Sequence, residues 1–153
     1  MGKRNAEYLL SLLFAGMAIY LLREVWSSVQ ALEGTYEALL EGAIFTEGPP
    51  ILGIKRYLLF CLCSGTWFLL AFAFLLSRRY YPLSLVQLTL SLTPIWFICY
   101  VFIKESAYYE YGSMWNFLTH RFLPSWDLLG LALFIAAAAF GIRQCRTMRG
   151  AAT

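Results

Sequence analysis

Two long uncharged segments constrain the fold of this chain more than any other feature of its sequence. Residues 57–77 and residues 83–103 each run for 21 residues without an acidic or basic side chain. At a rise of about 1.5 Å per residue, a helix of this length spans roughly 31 Å, which matches a bilayer hydrocarbon core of about 30 Å. A charge at mid-span would cost roughly 2.5–3.5 kcal/mol on the insertion scale. Each segment is therefore predicted to span a membrane.

Two further segments are apolar but shorter. Residues 8–22 and 128–142 hold 15 uncharged residues each. Their flanks favour spanning, because the Arg23 side chain can reach the interface and Trp26 and Trp126 suit the headgroup layer. The sequence thus predicts an all-α integral membrane protein, a four-helix bundle that forms a single domain. Its spans are predicted near residues 6–27, 57–77, 83–103 and 124–143.

The composition supports the same class. The chain is 60% hydrophobic and 14% charged, whereas an ordinary soluble domain is about 25% charged. So few charges do not cover the apolar surface of a water-soluble globule of 153 residues. Disordered, collagen-like and disulfide-dense secreted classes are excluded by the same figures.

The first span has one alternative interpretation, a cleaved signal peptide. Lys3 and Arg4 fit the basic start of such a peptide, and Val29-Gln30-Ala31 loosely resembles a cleavage site. However, Arg23-Glu24 and several bulky residues separate that site from the apolar run, which disfavours cleavage. N-myristoylation is not expected, because Ala6 stands where the motif requires Ser or Thr.

Four spans divide the charged residues between two sides. The side with both termini and the inner-side loop 78–82 carries seven basic residues and one acidic residue, against five basic and eight acidic on the other. Because basic residues accumulate on the cytoplasmic side, both termini are predicted to be cytoplasmic. The membrane is predicted to be the cell membrane. The outer-side loops are then 28–56 and 104–123, and the inner-side tail is 144–153. Topology and anionic lipid explain the basic rim, and no nucleic-acid partner is expected.

The first outer-side loop contains an amphipathic pattern. An apolar stripe at helical spacing predicts an amphipathic helix that continues the first span or lies on the outer membrane surface, stopped by Gly48-Pro49-Pro50. Glu33, Glu37 and Glu41 line one edge of the stripe. These carboxylates are either a solvated edge or a ridge that docks a basic partner. A metal site is not expected, because carboxylates four residues apart without supporting ligands make a poor cage.

The second outer-side loop is rich in aromatic residues. Trp115, Leu118 and Phe122 recur at helical spacing, which predicts a short interfacial helix that ends at Pro124, before the fourth span. A membrane belt of aromatic side chains is the favoured interpretation, and an aromatic ligand cage is the alternative.

The third span carries the clearest polar pattern within the bilayer. Ser84, Gln87 and Ser91 fall on one helical face, and Pro94 adjoins them. Pro94 cannot donate a backbone hydrogen bond, so the carbonyl of Leu90 needs another donor. The polar face predicts interhelical hydrogen bonds, with a polar-lined substrate path as the alternative.

The fourth span has two faces of small residues. Gly130, Ala137 and Gly141 form one face, which we expect to contact a protein partner or a neighbouring helix. The second face is similar. Its members are Ala132, Ala136 and Ala139.

The sequence contains no recognisable catalytic set. His120 is the only histidine, no cysteine pair has the C-x-x-C spacing, and no ionisable residue lies deep in a span. We therefore expect neither an enzyme, nor a cofactor, nor a metal site. Cys61 and Cys99 are each four residues from the outer end of adjacent spans, so a disulfide is an alternative to simple packing of their side chains. Glu24 is the one acidic residue close to the bilayer, and Arg23 is its expected partner.

The layout of four spans with internal termini and two structured outer loops is similar to that of immunity proteins of pore-forming bacteriocins, and to that of the sigma-2 receptor and sterol-isomerase group. The likeness to the second group stops at the second span, where Cys61-Leu62 stands near the position of its expected acidic residue. The sequence favours a protein that contacts a larger membrane partner, as an accessory subunit or an immunity or exclusion factor. The alternative is a small-molecule or lipid-binding or transport protein, with a pocket between the kinked third span and its neighbours.

Overall fold

The computed structural model describes residues 3–44, 50–77, 83–107, 109 and 111–150 of the chain, without the side chains of 3–7, 74, 76–77, 83–84 and 147–150. All regular structure in this part of the chain is helical. Four of the helices are long and apolar enough to cross a membrane, which confirms the prediction of an all-α protein with four candidate spans. The predicted inner-side loop 78–82 lies outside the described residues.

The helices extend further than the predicted spans. In the described residues, α1 is Lys3–Leu40, α2 is Ile51–Ser77, α3 is Leu83–Glu105, α4 is Met114–Phe117 and α5 is Asp127–Gly150. The segment predicted as an amphipathic helix after the first span belongs to α1, one helix of 38 residues and about 57 Å. α5 begins three residues after the predicted start of the fourth span, at 124, and includes much of the predicted tail. We use "outer end" for the end of the bundle that carries Glu24, following the predicted topology.

The end of α1 differs from the sequence-based prediction. The helix stops at Leu40, well before Gly48-Pro49-Pro50. Gly42 has a φ of 84°, and the Ala43 N–H donates to the Ala38 carbonyl at 2.9 Å. This is the Schellman arrangement, in which a glycine in the left-handed region closes a helix. The helix is therefore closed at Gly42, and the prolines are not needed to stop it.

Pro94 lies inside α3 without ending it. The Leu90 carbonyl, which Pro94 cannot serve, accepts a hydrogen bond from Thr93 Oγ1 at 2.7 Å. A hydroxyl from the same turn thus replaces the missing backbone donor. In hydrocarbon this replacement matters, because no water is present to satisfy the carbonyl.

The long helices pack as two pairs, α1 along α2 and α3 along α5. Phe14 of α1 meets Phe68 of α2 with ring centroids 5.9 Å apart, and Phe97 of α3 stacks on Phe134 of α5 at 4.8 Å. Trp96 joins the two pairs, because its ring stacks on Phe60 of α2 at 6.3 Å. Aromatic contacts therefore join the helices within a core that also contains aliphatic and small side chains, which suits a bundle in which packing rather than water exclusion holds the helices together.

A short cap connects α3 to α5. Ser113 accepts a hydrogen bond from the Asn116 N–H at the start of α4, and a π-helical turn, Leu118–Phe122, follows directly. The Leu123 N–H donates to the Leu118 carbonyl at 3.0 Å, the five-residue spacing of a π-helix. A helix is therefore present in the predicted region. Its buried side chains are Phe117 and Phe122, whereas Trp115 of the predicted stripe is exposed.

Gly53 allows α2 to approach the chain just after α3. A Cβ at this position would lie 2.5 Å from Ala107 Cα and 2.8 Å from the Ala107 carbonyl oxygen. Both contacts are to backbone, which cannot move aside as a flexible side chain does. Gly34 on α1, by contrast, has open space around its Cα.

These two glycines give a matched test of the packing. We expect Gly53→Ala to lower the free energy of unfolding by about 1–3 kcal/mol through overpacking. Gly34→Ala should raise it by about 0.5–1 kcal/mol, because alanine favours a helix interior over glycine. Thermal unfolding in mild detergent measures both. Equal effects of the two substitutions would contradict the close approach of α2 to Ala107.

Candidate functional site

A network of polar side chains joins α1, α2 and α3 near the outer end of the bundle. Glu24 of α1 accepts a hydrogen bond from the Tyr57 hydroxyl of α2, and its carboxylate lies 3.4 Å from Lys104 Nζ at the end of α3. The Glu24 side chain is 17% exposed. Tyr100 of α3 brings its hydroxyl within 3.1 Å of that of Tyr57 and 2.7 Å of that of Tyr20. We call these five residues the outer polar network.

The three hydroxyl groups can donate their hydrogen bonds in one consistent direction. A carboxylate only accepts hydrogen bonds, so the single proton of Tyr57 is donated to Glu24. Tyr100 then donates to Tyr57, and Tyr20 donates to Tyr100. All three dipoles therefore point towards the carboxylate, and the Lys104 ammonium adds a positive charge beside it. Hydrogen bonds to a charged group are worth about 1.5–3 kcal/mol each, so this network holds three helices together.

The partner of Glu24 corrects one sequence-based expectation. Lys104 and Tyr57 contact Glu24, whereas the expected partner Arg23 is exposed. Adjacent residues on a helix point about 100° apart, so Arg23 turns outward when Glu24 faces α2 and α3. The sequence analysis also missed the three tyrosines. A signal was present, since Tyr20–Glu24 on α1 and Tyr100–Lys104 on α3 share the spacing that places two side chains on one helical face.

A groove of about 500 Å³ lies between α2 and α3. Its walls are mainly apolar and aromatic. The residues that form them include Phe60, Ser64 and Trp67 of α2, and Thr89, Leu92 and Trp96 of α3. Trp96 Nε1 donates to Ser64 Oγ at 3.0 Å and so connects the two walls. A volume of this size is in the range of small-molecule pockets.

The cysteines are all among the described residues, and all four are free. Cys61 is buried, and Cys63 and Cys99 line the groove. The alternative of a disulfide between Cys61 and Cys99 is therefore not realised, and Cys61 packs in the core. In the part of the chain that the structure describes, no group of three His, Cys, Asp or Glu side chains could hold a metal ion.

Arg121 clamps the cap to both neighbouring helices. Its guanidinium lies 2.9 Å from Glu105 at the end of α3 and 3.2 Å from Asp127 at the start of α5. The Tyr111 hydroxyl also donates to Glu105, at 3.1 Å. Partial desolvation and the Glu105 carboxylate raise the pKa of Tyr111, and the two carboxylates raise the pKa of Arg121 despite the desolvation that opposes them. His120, the single histidine, is exposed.

The carboxylates of the predicted docking ridge are exposed on α1. These are Glu33, Glu37 and Glu41. None of the described basic residues forms an ion pair with them; Lys55 instead lies over the Tyr36 ring, 5.9 Å from its centroid. The ridge is therefore a negatively charged edge without a compensating cation in the described part of the chain.

The first predicted small face of α5 packs largely against other helices of the same chain. A Cβ on Gly130 would lie 2.7 Å from the Phe97 ring, and one on Gly141 would lie 2.7 Å from the Leu90 side chain. Both glycines thus permit close packing of α5 on α3, while Ala137 of the same set is exposed. The exposed face of α5 contains the three alanines of the second predicted small face. They are Ala132, Ala136 and Ala139.

The predicted polar face of α3 is dispersed. Ser91 is exposed and donates to the Gln87 carbonyl within its own helix, Gln87 is half-buried, and the Ser84 side chain lies outside the described residues. Pro94 is half-buried beside Thr93. Trp96, on a different face of α3, donates a side-chain hydrogen bond to Ser64 of α2.

Comparisons with known proteins give no family assignment: no family model, no curated protein and no solved structure matches this chain. The likeness to bacteriocin immunity proteins and to the sigma-2 receptor group is therefore one of layout alone.

The outer polar network gives a direct test. Tyr57→Phe removes the hydroxyl that serves the Glu24 carboxylate and leaves a poorly solvated charge with one donor fewer. We expect a loss of about 1–3 kcal/mol in the free energy of unfolding, measured in mild detergent. Tyr109→Phe, at an exposed tyrosine of the cap, is the matched control and should have little effect. A Tyr57→Phe protein as stable as the wild type would show that the network does not hold the helices.

The cap gives a test by pH. The raised pKa of Tyr111 means that the folded protein holds the hydroxyl proton more tightly than the unfolded chain does. Its contribution is complete below the ordinary tyrosine pKa of 10.0 and is lost as the pH rises above that value. The stability of the wild type should therefore fall more steeply above pH 10.0 than that of Tyr111→Phe. Parallel pH profiles would contradict this role of Tyr111.

Proposed function

We propose that this protein is a non-catalytic, multi-pass membrane protein that contacts a larger membrane protein, as an accessory subunit or as an immunity or exclusion factor. In this proposal the protein lies in the cell membrane, and both of its termini are cytoplasmic. The observation that supports it best lies at the outer end of α1 and just beyond it, where Leu40 is 89% exposed and Ile44 is 92% exposed.

The position of these side chains makes their exposure unusual. α1 continues for 18 residues beyond Leu22, the last residue of its uncharged run, which corresponds to about 27 Å of helix. Leu40 therefore lies far from the hydrocarbon when α1 crosses the bilayer upright. Exposed apolar side chains are expected next to lipid but not next to water, where a cluster of them is typical of a binding surface.

The charge of the same surface indicates the kind of partner. Glu33, Glu37 and Glu41 flank the apolar end of α1 without described basic partners. Like charges four residues apart destabilise a helix by about 0.2–0.5 kcal/mol per pair, and a basic surface would remove this repulsion. Complementary charge also speeds association and selects the partner. We therefore expect the partner to present basic side chains around an apolar patch.

The proposal predicts the effect of removing the charge. Replacing Glu33, Glu37 and Glu41 together by Gln should weaken retention of the partner by about tenfold, since each charge contact contributes a fraction of the 1.4 kcal/mol that corresponds to that factor. Membrane insertion should be unchanged, because the spans are untouched. Co-purification in mild detergent with mass spectrometry measures both. Glu7→Gln, on the opposite side in the predicted topology, is the control. Unchanged retention by the triple variant would remove the docking proposal.

A second function is favoured by the groove between α2 and α3. Its aromatic walls and its volume of about 500 Å³ suit a lipid or an apolar small molecule that reaches the protein through the bilayer. The groove does not overlap the outer part of α1, so the two functions are compatible. In this second proposal the protein binds such a molecule, and the aromatic side chains supply most of the contact.

A further inference from the structure

A basic residue precedes the residues of α2 that line the groove between α2 and α3. Arg56 lies one turn before Phe60 on α2, and the series Arg56, Phe60, Cys63 and Trp67 has the spacing of a single helical face. The last three residues of this series line the groove. Arg56 is exposed, and its position on α2 shares the face of the aromatic wall, one turn nearer the outer end.

The length of this series matches one leaflet of a bilayer. From Arg56 to Trp67 the helix rises about 16 Å, and the hydrocarbon of one leaflet is about 15 Å thick. The wall on α3 has a similar length, because Cys99 and Thr89 are separated by about 15 Å of helix. The groove lining begins at Phe60 and Cys99, about one turn inside the predicted outer ends of the two spans, and passes the middle of the bilayer at Thr89.

Arg56 is available to an external anion. None of the described acidic residues forms an ion pair with it, whereas Arg121 and Lys104 are both paired. Its neighbour Lys55 is directed to the Tyr36 ring. A guanidinium is suited to two parallel hydrogen bonds with a phosphate, which makes it a favourable headgroup ligand.

We propose that the groove holds an acyl chain of one anionic phospholipid, with the lipid phosphate bound by Arg56. The aromatic walls contact the chain, and the positive charge of Arg56 favours a headgroup with net negative charge over a zwitterionic one. This inference rests on the second proposed function, to which it adds the chemical class of the ligand and the residue that selects it.

The test is lipid retention by the purified protein in mild detergent, counted by native mass spectrometry after addition of phosphatidylglycerol or phosphatidylcholine. The wild type should retain one phosphatidylglycerol in preference to phosphatidylcholine. Arg56→Gln should weaken that retention about tenfold, the effect of losing one charge-assisted contact. Arg23→Gln removes an exposed arginine of α1, a helix that does not line this groove, and it should retain lipid as the wild type does.

A second pair of variants tests the chain rather than the headgroup. Leu92→Trp fills the groove and should reduce retention of both lipids, whereas Leu59→Trp, on the exposed face of α2 outside the groove, should not. If Arg56→Gln behaves as Arg23→Gln while Leu92→Trp still lowers retention, the phosphate assignment is overturned and the groove function stands. If Leu92→Trp also has no effect, both are overturned. A co-purified molecule that is not a phospholipid overturns the lipid class alone.

Fluorescence in vesicles provides a measurement that needs no variant to fold. Trp67 and Trp96 line the groove, so brominated chains held there quench their emission. In phosphatidylcholine vesicles with a minor fraction of phosphatidylglycerol, bromine on the phosphatidylglycerol chains should quench more than the lipid's mole fraction predicts. Quenching in proportion to mole fraction would overturn the preference for an anionic lipid.

Discussion

Hydrocarbon offers no hydrogen-bond partner to a peptide group, and most of this fold follows from that single constraint. Every backbone donor and acceptor in the bilayer must be satisfied within the chain, which restricts the spans to helices. The constraint is visible at Pro94, where Thr93 supplies the donor that the proline lacks. A hydroxyl such as that of Thr93, which would contribute little to stability in water, therefore becomes necessary for the structure here.

The same solvent explains where the polar side chains lie. The described ion pairs lie at or beyond the outer end of the bundle, in the outer polar network and in the cap around Arg121. Between these layers and the inner end, aromatic stacking around Trp96 and close packing at Gly130 and Gly141 hold the helices together. The helices are thus held together by hydrogen bonds and ion pairs at the outer end, and mainly by side-chain packing in the hydrocarbon.

The sequence predicts the spans well because the signal for them is local. The absence of charge over 21 consecutive residues needs no knowledge of the rest of the chain. The helix bounds are less well predicted, since Gly42 closes α1 through its backbone conformation, and a prediction that relies on the nearby prolines misses this. The prediction for the cap is incomplete for a similar reason. The π-helical turn, Leu118–Phe122, is wider than an α-helical turn, which changes which aromatic residues face inward.

The candidate sites depend on contacts between distant parts of the chain, which a sequence pattern does not contain. Lys104 and Glu24 are 80 residues apart, so their pairing follows only from the packing of α3 beside α1. The groove is likewise defined by a gap between two helices, and the residues that line it are unremarkable when each helix is considered alone. The sequence does contain the four-residue spacing that places Tyr20 with Glu24, and Tyr100 with Lys104, on one face of a helix.

The continuity of α1 has a mechanical consequence. The described structure has no break in this helix, so its 38 residues behave as one stiff rod. Displacement of its Leu40 end therefore moves the whole of α1, including the apolar segment that is long enough to cross a membrane.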